Sequence, residues 1–317
     1  MRLARYAPKR IVLSVFTLLG MSVITFLVVN TLPGDVAVMI LGTRSNPERL
    51  EMIRQQLGLN RPLWVRYLDW LAGFLTGDMG VALRWDDPVL KLIVSRLPAS
   101  TFIAVVSLLL AVAMAIPLGI LAAVDQNTWK DFLASVVAFT GISVPNFFWG
   151  MLLILLFAVE LNLFPPSGYV NPLQDPVSGF QHIALPATAL AFGLMAHITR
   201  MTRSSLIEEL RAEYIKLAQM KGLSRRTIVL RHALPNAFLP VLTVIGFQLG
   251  FLFGGIVVIE QLFSYPGLGR LGFQAMINRD TPVIQAVVLV IGAIFLMSNL
   301  AVDLLYAVLD PRVGSSE

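Results

Sequence analysis

Few residues in this chain of 317 could carry out chemistry. It has no cysteine, which removes disulfides, thiolate metal sites and a cysteine nucleophile. Of its histidines, His182 and His197 stand near the ends of apolar runs and His232 stands in a basic loop, and all three read as structural rather than catalytic or metal-binding. No metal site is expected. Neither G-x-S-x-G nor H-E-x-x-H occurs, so an intramembrane hydrolase would lack both its nucleophile and its metal set. A G-x-x-x-x-G-K-[ST] loop to cradle nucleotide phosphates is also missing, so the chain itself should not hydrolyse ATP. The carboxylate that calls for an explanation is Asp303, which sits in a long apolar run where charge is costly. Asn299, Asp303 and Tyr306 share one helix face. A proton relay there would need a titrating partner, and no Lys, Arg or His lies mid-run to supply one; the other reading is a polar packing network.

The elements that hold these residues belong to a membrane. Hydrophobic residues make up 56% of the chain and charged ones 14%, against about 25% charged in soluble proteins. Six long stretches lack charges in their interiors apart from Asp303 in the last: 11–29, 97–124, 132–159, 183–199, 233–259 and 283–309. Each approaches or exceeds the ~20 residues that a helix needs to cross a bilayer. The first is too long for a signal-peptide core and no A-x-A site follows it, so it should stay as a span. The pI of 9.7 does not point to nucleic acid, because no basic stripe interleaves with aromatics. Its source is the basic leader (Arg2, Arg5, Lys9, Arg10) and the basic loop after the fourth span. The positive-inside rule places both, and with six spans both termini, in the cytoplasm.

Two regions follow. Residues 1–96 comprise the first span and an external segment, and 97–317 form a five-helix core. Trp64, Trp70, Trp85, the pairs Gly34-Asp35 and Gly77-Asp78, and a helical stretch 47–57 ending at Gly58 argue that the external segment is ordered. The cytoplasmic loop 200–235 alternates helix-forming and helix-breaking signals. A first short helix, Glu213–Met220, sets Ile215, Leu217 and Ala218 against Glu213, Lys216 and Gln219 and stops at Lys221-Gly222. Ser224 is placed to cap a second, 225–233, before Leu234-Pro235-Asn236 opens the fifth span. A helix pair lying across a membrane face is built to dock on something.

Ala218, Lys221-Gly222-Leu223 and Arg231-His232-Ala233-Leu234-Pro235-Asn236 resemble the coupling loop of ABC importer permeases. The family pattern places Glu-Ala-Ala before the glycine and Ile-x-Leu-Pro after it. Here Lys216-Leu217-Ala218 and His232-x-Leu234-Pro235 stand in those places, so Ala, Gly, Leu and Pro match and the first Glu, first Ala and Ile do not. Pro33-Gly34-Asp35, Gly141-x-Ser143-x-Pro145-x-Phe147, Phe263-x-x-Pro266-Gly267-x-Gly269-Arg270 and Asp310-Pro311-Arg312 extend the resemblance, to the dipeptide, oligopeptide and nickel branch. The resemblance implies an all-α polytopic fold of the type I importer permease kind, in the inner membrane. It implies a second homologous permease, two cytoplasmic ATPase subunits that hold ATP and Mg, and an extracytoplasmic solute-binding protein. Glu213, Lys216, Ala218, Lys221, Gly222, Leu223, Arg231, His232, Leu234 and Pro235 would then form the ATPase-coupling surface.

Other residues keep two readings. Gly246, Gly250 and Gly254 form a small ridge on the fifth span that packs either within the chain or against a partner permease. Pro145 and Pro186 should kink their spans, as flex points or as plain packing. Asn146, Phe147, Phe148 and Trp149 line a pathway or form an outer belt. An ion-gradient-driven secondary transporter is the rival function, and it would want paired intramembrane charges and symmetric broken helices.

Overall fold

The computed structural model describes residues 3–31, 46–56 and 58–309, so Pro33-Gly34-Asp35 and Asp310-Pro311-Arg312 lie outside the described residues. In a bilayer each backbone donor and acceptor must pair within the protein, so uncharged runs become helices. In chain order these are α1 (Leu3–Thr31), α2 (Pro47–Gln56), α3 (Leu63–Thr76), α4 (Val89–Val124), α5 (Trp129–Ser143) and α6 (Asn146–Leu153). There follow α7 (Pro176–Leu210), α8 (Glu213–Met220), α9 (Arg225–Thr227), α10 (Leu234–Leu262), α11 (Leu268–Ile277) and α12 (Thr281–Leu309). π-helical turns extend α6 through Ile154–Glu160 and join α9 to α10 through Ile228–Ala233.

Among the described residues, Arg10–Thr31, Val89–Val124, Pro176–Leu210, Arg225–Leu262 and Thr281–Leu304 are long and apolar enough to cross a membrane. The remaining expected span corresponds to two helices, α5 and the α6 segment, which are long and apolar enough only together and meet at 105°. Pro145 causes the break. It has no N–H to donate, and its ring drives Val144 out of the helical region to φ −102°, ψ 125°. Pro186, by contrast, lies inside α7, which is assigned as one continuous helix. The fourth span, read as the shortest, is a helix of 35 residues whose last turns occupy the start of the loop 200–235.

Helix α7 is the buried axis. Ala187, Ala189, Leu190, Ala191, Ala196 and Ile198 are essentially inaccessible, and α4, α5, α6 and α10 all pack on α7. Small residues permit the approach: a Cβ on Gly119 would lie 2.5 Å from the Thr202 Cβ, and one on Gly141 2.5 Å from the Phe192 carbonyl oxygen. A second apolar cluster joins the start of α4 (Val89, Leu92, Ile93) to α11 and α12. A third surrounds α8 at the far end of α10.

The segment between α1 and α4 is ordered where it is described. Gly58 (φ 65°) follows α2 and Gly77 (φ 89°) ends α3, both in the left-handed region. Trp70 and Trp85 pack inward, whereas Trp64 is largely exposed.

Candidate functional site

The loop after α7 is compact and anchored to the helices around it. Ile215 and Ala218 of α8 are buried among Ala123, Leu206, Ile228, Val229, Ala233 and Ala237. The helix closes on a Schellman pattern, with Leu223 N–H donating to the Ala218 carbonyl (3.3 Å) and Gly222 N–H to that of Gln219 (2.9 Å). This geometry requires φ > 0 at Gly222, which has φ 75°, and no atom lies within 4 Å of where its Cβ would be. Ser224 then caps α9, accepting from Thr227 N–H at 3.3 Å. The expected break before Leu234 is missing: α9, the π turn and α10 run on as one helix. The π turn offers a reason. It shifts hydrogen bonding to i→i+5 just before Pro235, which has no N–H to contribute.

Tyr214 ties the loop to both flanking helices. Its hydroxyl donates to Glu209 Oε2 (2.5 Å) and accepts from Asn236 Nδ2 (2.9 Å), and burial together with Glu209 raises its pKa. Arg225 donates to the Val124 carbonyl and lies 3.6 Å from Asp125, holding the loop against the turn between α4 and α5. A bidentate pair, Arg203 Nε and Nη2 to Asp131 at 2.7 and 2.8 Å, locks α7 to α5 nearby.

What is left facing outward is mixed. Leu217, expected on the buried side of α8, is 59% exposed, and Met220 is 82% exposed. A face that begins apolar at Leu217 and Met220 is flanked by exposed Glu213, Lys216, Lys221 and Leu223. Arg231, His232 and Pro235 are also exposed, while Leu234 is half-buried. The helix turns Leu217 outward because Ile215 and Ala218, three apart, already fill the side facing the cluster.

The remaining residues sort differently from their sequence spacing. Gly246 and Gly250 face α12 within the chain: a Cβ on Gly246 would lie 2.2 Å from Val302 Cγ2, and one on Gly250 2.7 Å from Phe295 and 3.4 Å from Asn299 Oδ1. Gly254 faces open space, so the ridge is not one surface. Asp303 does have a cationic partner, Arg10 at 3.0 Å. It stands one residue from the end of the candidate span Thr281–Leu304, and Arg10 opens the span Arg10–Thr31, so the pair closes the α1–α12 contact at one end. The Tyr306 side chain lies outside the description.

At the break beside Pro145 a cavity of about 500 Å³ is lined by Asn146, Gln248, His197, Phe251 and Gly255 among others. Asn146 is wedged between α7 and α10, since a Cβ on Gly193 would lie 2.4 Å from its Oδ1 and one on Gly255 3.4 Å from its Nδ2. Phe147 and Phe148 are exposed, and Trp149 packs against Phe192 with ring centres 4.8 Å apart and planes tilted by 44°.

One buried site escaped sequence reasoning. Glu260, wholly inaccessible at the end of α10, accepts from Ser100 Oγ (2.6 Å) and from Arg270 N–H (2.9 Å), while Ser100 Oγ accepts from Leu268 N–H (2.7 Å). The carboxylate therefore occupies the N-terminus of α11. This explains Gly267 of the motif, where a Cβ would lie 1.9 Å from a Glu260 oxygen; a Cβ on Gly269 would meet the Val257 Cα at 2.6 Å as well as a Glu260 oxygen at 3.0 Å. The available signal was a lone Glu closing an apolar run three residues before Phe263.

Comparison with known proteins meets this geometry from the other side. Residues 115–315 match the family model of the binding-protein-dependent transport system inner membrane component, and 3–104 match the model of the N-terminal part of such components. The chain belongs to this family. It is a multi-pass inner membrane permease of an ABC importer. Among its relatives, the dipeptide transport system permease protein DppB of Escherichia coli (strain K12) is 39% identical, over 98% of each chain. DppB of Alkalihalophilus pseudofirmus is 38% identical over 97% of this chain and 98% of its own. A putative peptide transport system permease protein of Brucella suis is 39% identical over 96% and 97%. Among solved structures, a chain of the MetNI methionine ABC transporter in an inward-facing form aligns with TM-score 0.57 at 18% identity, over 69% of this permease and 97% of that chain. That likeness speaks to the fold.

Proposed function

We propose that this permease is one of two homologous subunits around a pathway for di- or oligopeptides, or a related small solute such as a nickel chelate, in a bacterial cytoplasmic membrane. Two cytoplasmic ATPase subunits holding ATP and Mg drive it, and an extracytoplasmic solute-binding protein delivers the cargo. The observation that carries the reading is α8: a helix anchored by Ile215, Ala218 and Tyr214, yet presenting Leu217 and Met220 to solvent. Two exposed apolar side chains on a tethered helix fit a cleft in a partner. The relatives' names support the peptide class.

In this mechanism the chain supplies no catalytic group. Closure of the ATPases on ATP draws two α8 elements together. Since α9 is continuous with α10, the displacement passes straight into a membrane-crossing helix. The orientation that puts α8 and both termini inside follows from the basic residues of the leader and loop. The decisive experiment is uptake by intact cells under selective depletion. Uptake should collapse when ATP is removed while the proton gradient persists, and uptake that follows the gradient instead would favour the secondary transporter.

A further inference from the structure

Helix α3 has three strips, and the role above uses none of them. Tyr67 and Trp70 pack toward α1, with Phe26 5.5 Å from Tyr67 and 5.6 Å from Trp70 between ring centres and Tyr67 Oη 2.8 Å from Ser22 Oγ, and Phe74 packs beside Trp70 at 6.2 Å. A polar strip carries Arg66, which donates to Asn30 Oδ1 at 2.6 Å, and Asp69, which pairs with Arg61 at 3.1 Å. Between them Trp64, Leu68, Leu71 and Leu75 fall at i, i+4, i+7 and i+11, a single stripe on a 3.6-residue helix. Trp64, Leu68 and Leu75 are 68%, 54% and 76% exposed. No residue of α3 is fully buried.

That stripe does not stand alone. The turns of α1 that hold α3 expose Val23, Ile24, Leu27 and Val28, and only 17% of the apolar window of α1 is buried within the chain. The exposed apolar surface of α1 thus continues onto α3. With 14 residues α3 is too short to cross, since a span needs ~20. Its charges lie on the side away from the stripe, and a tryptophan stands at its start, as in helices that lie in a membrane interface.

We propose that α3 is an interfacial helix, lying along the membrane surface at the end of α1 with Trp64, Leu68 and Leu75 in the headgroup–acyl boundary, Asp69 turned to water and Arg66 held on Asn30 of α1. On the orientation given above, the leaflet is the outer one. The helix would fix the segment from α2 to α4 in the membrane plane, so that the platform facing the solute-binding protein keeps its height and tilt while the spans rock.

The test uses the whole transporter, with cysteine-free partner subunits, in vesicles of phosphatidylethanolamine and phosphatidylglycerol. Nitroxides are placed singly at Leu68→Cys, Leu75→Cys and Asp69→Cys, after each variant has been shown to support uptake. Collision of the label with oxygen and with a water-soluble nickel chelate is then measured. The expected result is a several-fold preference for oxygen at 68 and 75, at a depth of ~5–10 Å, and for the chelate at 69. Equal access of the chelate at all three positions overturns the proposal. So does protection of 68 and 75 from both reagents, or protection gained only on adding the solute-binding protein, because either result puts a protein on the stripe. Neither readout depends on which leaflet is involved, so an inverted topology would leave the result unchanged and would show instead in the labelling test below.

Discussion

At the scale of single residues the buried carboxylates make the sharpest claims. Glu260 uses both oxygens as acceptors, so Glu260→Gln must point an NH₂ at Ser100 Oγ or at the Arg270 N–H. Leaving one buried donor unpaired costs roughly 1–3 kcal/mol, which should appear as a lower melting temperature of the purified transporter. Gly267→Ala should act on the same contact by displacing the carboxylate, so the double variant should lose less than the sum of the two. Strict additivity would sink the assignment of Gly267 to the Glu260 site. Asp280 differs. It is buried before α12, accepts from Arg84 N–H at 3.0 Å, and burial pushes its carboxyl above the ordinary range. A folded pKa above the unfolded value (about 3.9) means the folded state holds the proton more tightly. Asp280 therefore costs stability above its folded pKa, and that cost is relieved as pH falls toward the unfolded value. Asp280→Asn should flatten this acid-side gain in melting temperature while keeping the acceptor for Arg84 N–H, and an unchanged slope would count against it.

The element scale centres on the turn after α8. A β-branched residue at φ 75° is strained whatever space surrounds it, and Gly222 has open space, so the substitution separates backbone strain from crowding. Gly222→Val should leave insertion and permease pairing intact, yet cut uptake and coupled ATPase activity at least tenfold in reconstituted complexes. Gly222→Asn should keep most of both, because Asn tolerates the left-handed region. A Gly222→Val complex that retains its ATPases in a pull-down and transports at the unmodified rate would refute the coupling role. On the outer surface of the same element, Leu217→Asp should weaken ATPase capture without lowering the melting temperature of the permease, because Leu217 fills no core.

For the molecule as a whole, the prediction is its direction in the membrane. Leu173, 91% exposed, lies in the loop between the third and fourth expected spans and exposed Ser224 in the loop after the fourth, so six spans put the two on opposite sides. In a chain without cysteine, Leu173→Cys should react with an impermeant maleimide in intact spheroplasts and Ser224→Cys only after permeabilisation. Equal labelling of both would overturn the topology. The same architecture places the α5–α6 break, where Asn146 lies beside Gly255, and the Glu260 cluster together in the last turns of α10. Helix α10 links the α8 cluster at its start to the α11 contact at its end.

Sequence alone determined the helical class, the apolar segments, the turn at Gly222 and the edges of α8, because each is local: hydrophobic run length, a capping residue, a glycine where φ must be positive. Tertiary structure decided what depends on which side a residue faces. Whether Leu217 is buried, whether Gly246 and Gly254 share a surface, and whether Asp303 has a partner all turned on helices distant in sequence, since spacing fixes the face of a helix but not its neighbour. The continuity of α9 with α10 was hidden for a related reason. Pro235 reads locally as a helix opener, and only the π turn stacked before it lets the helix run through.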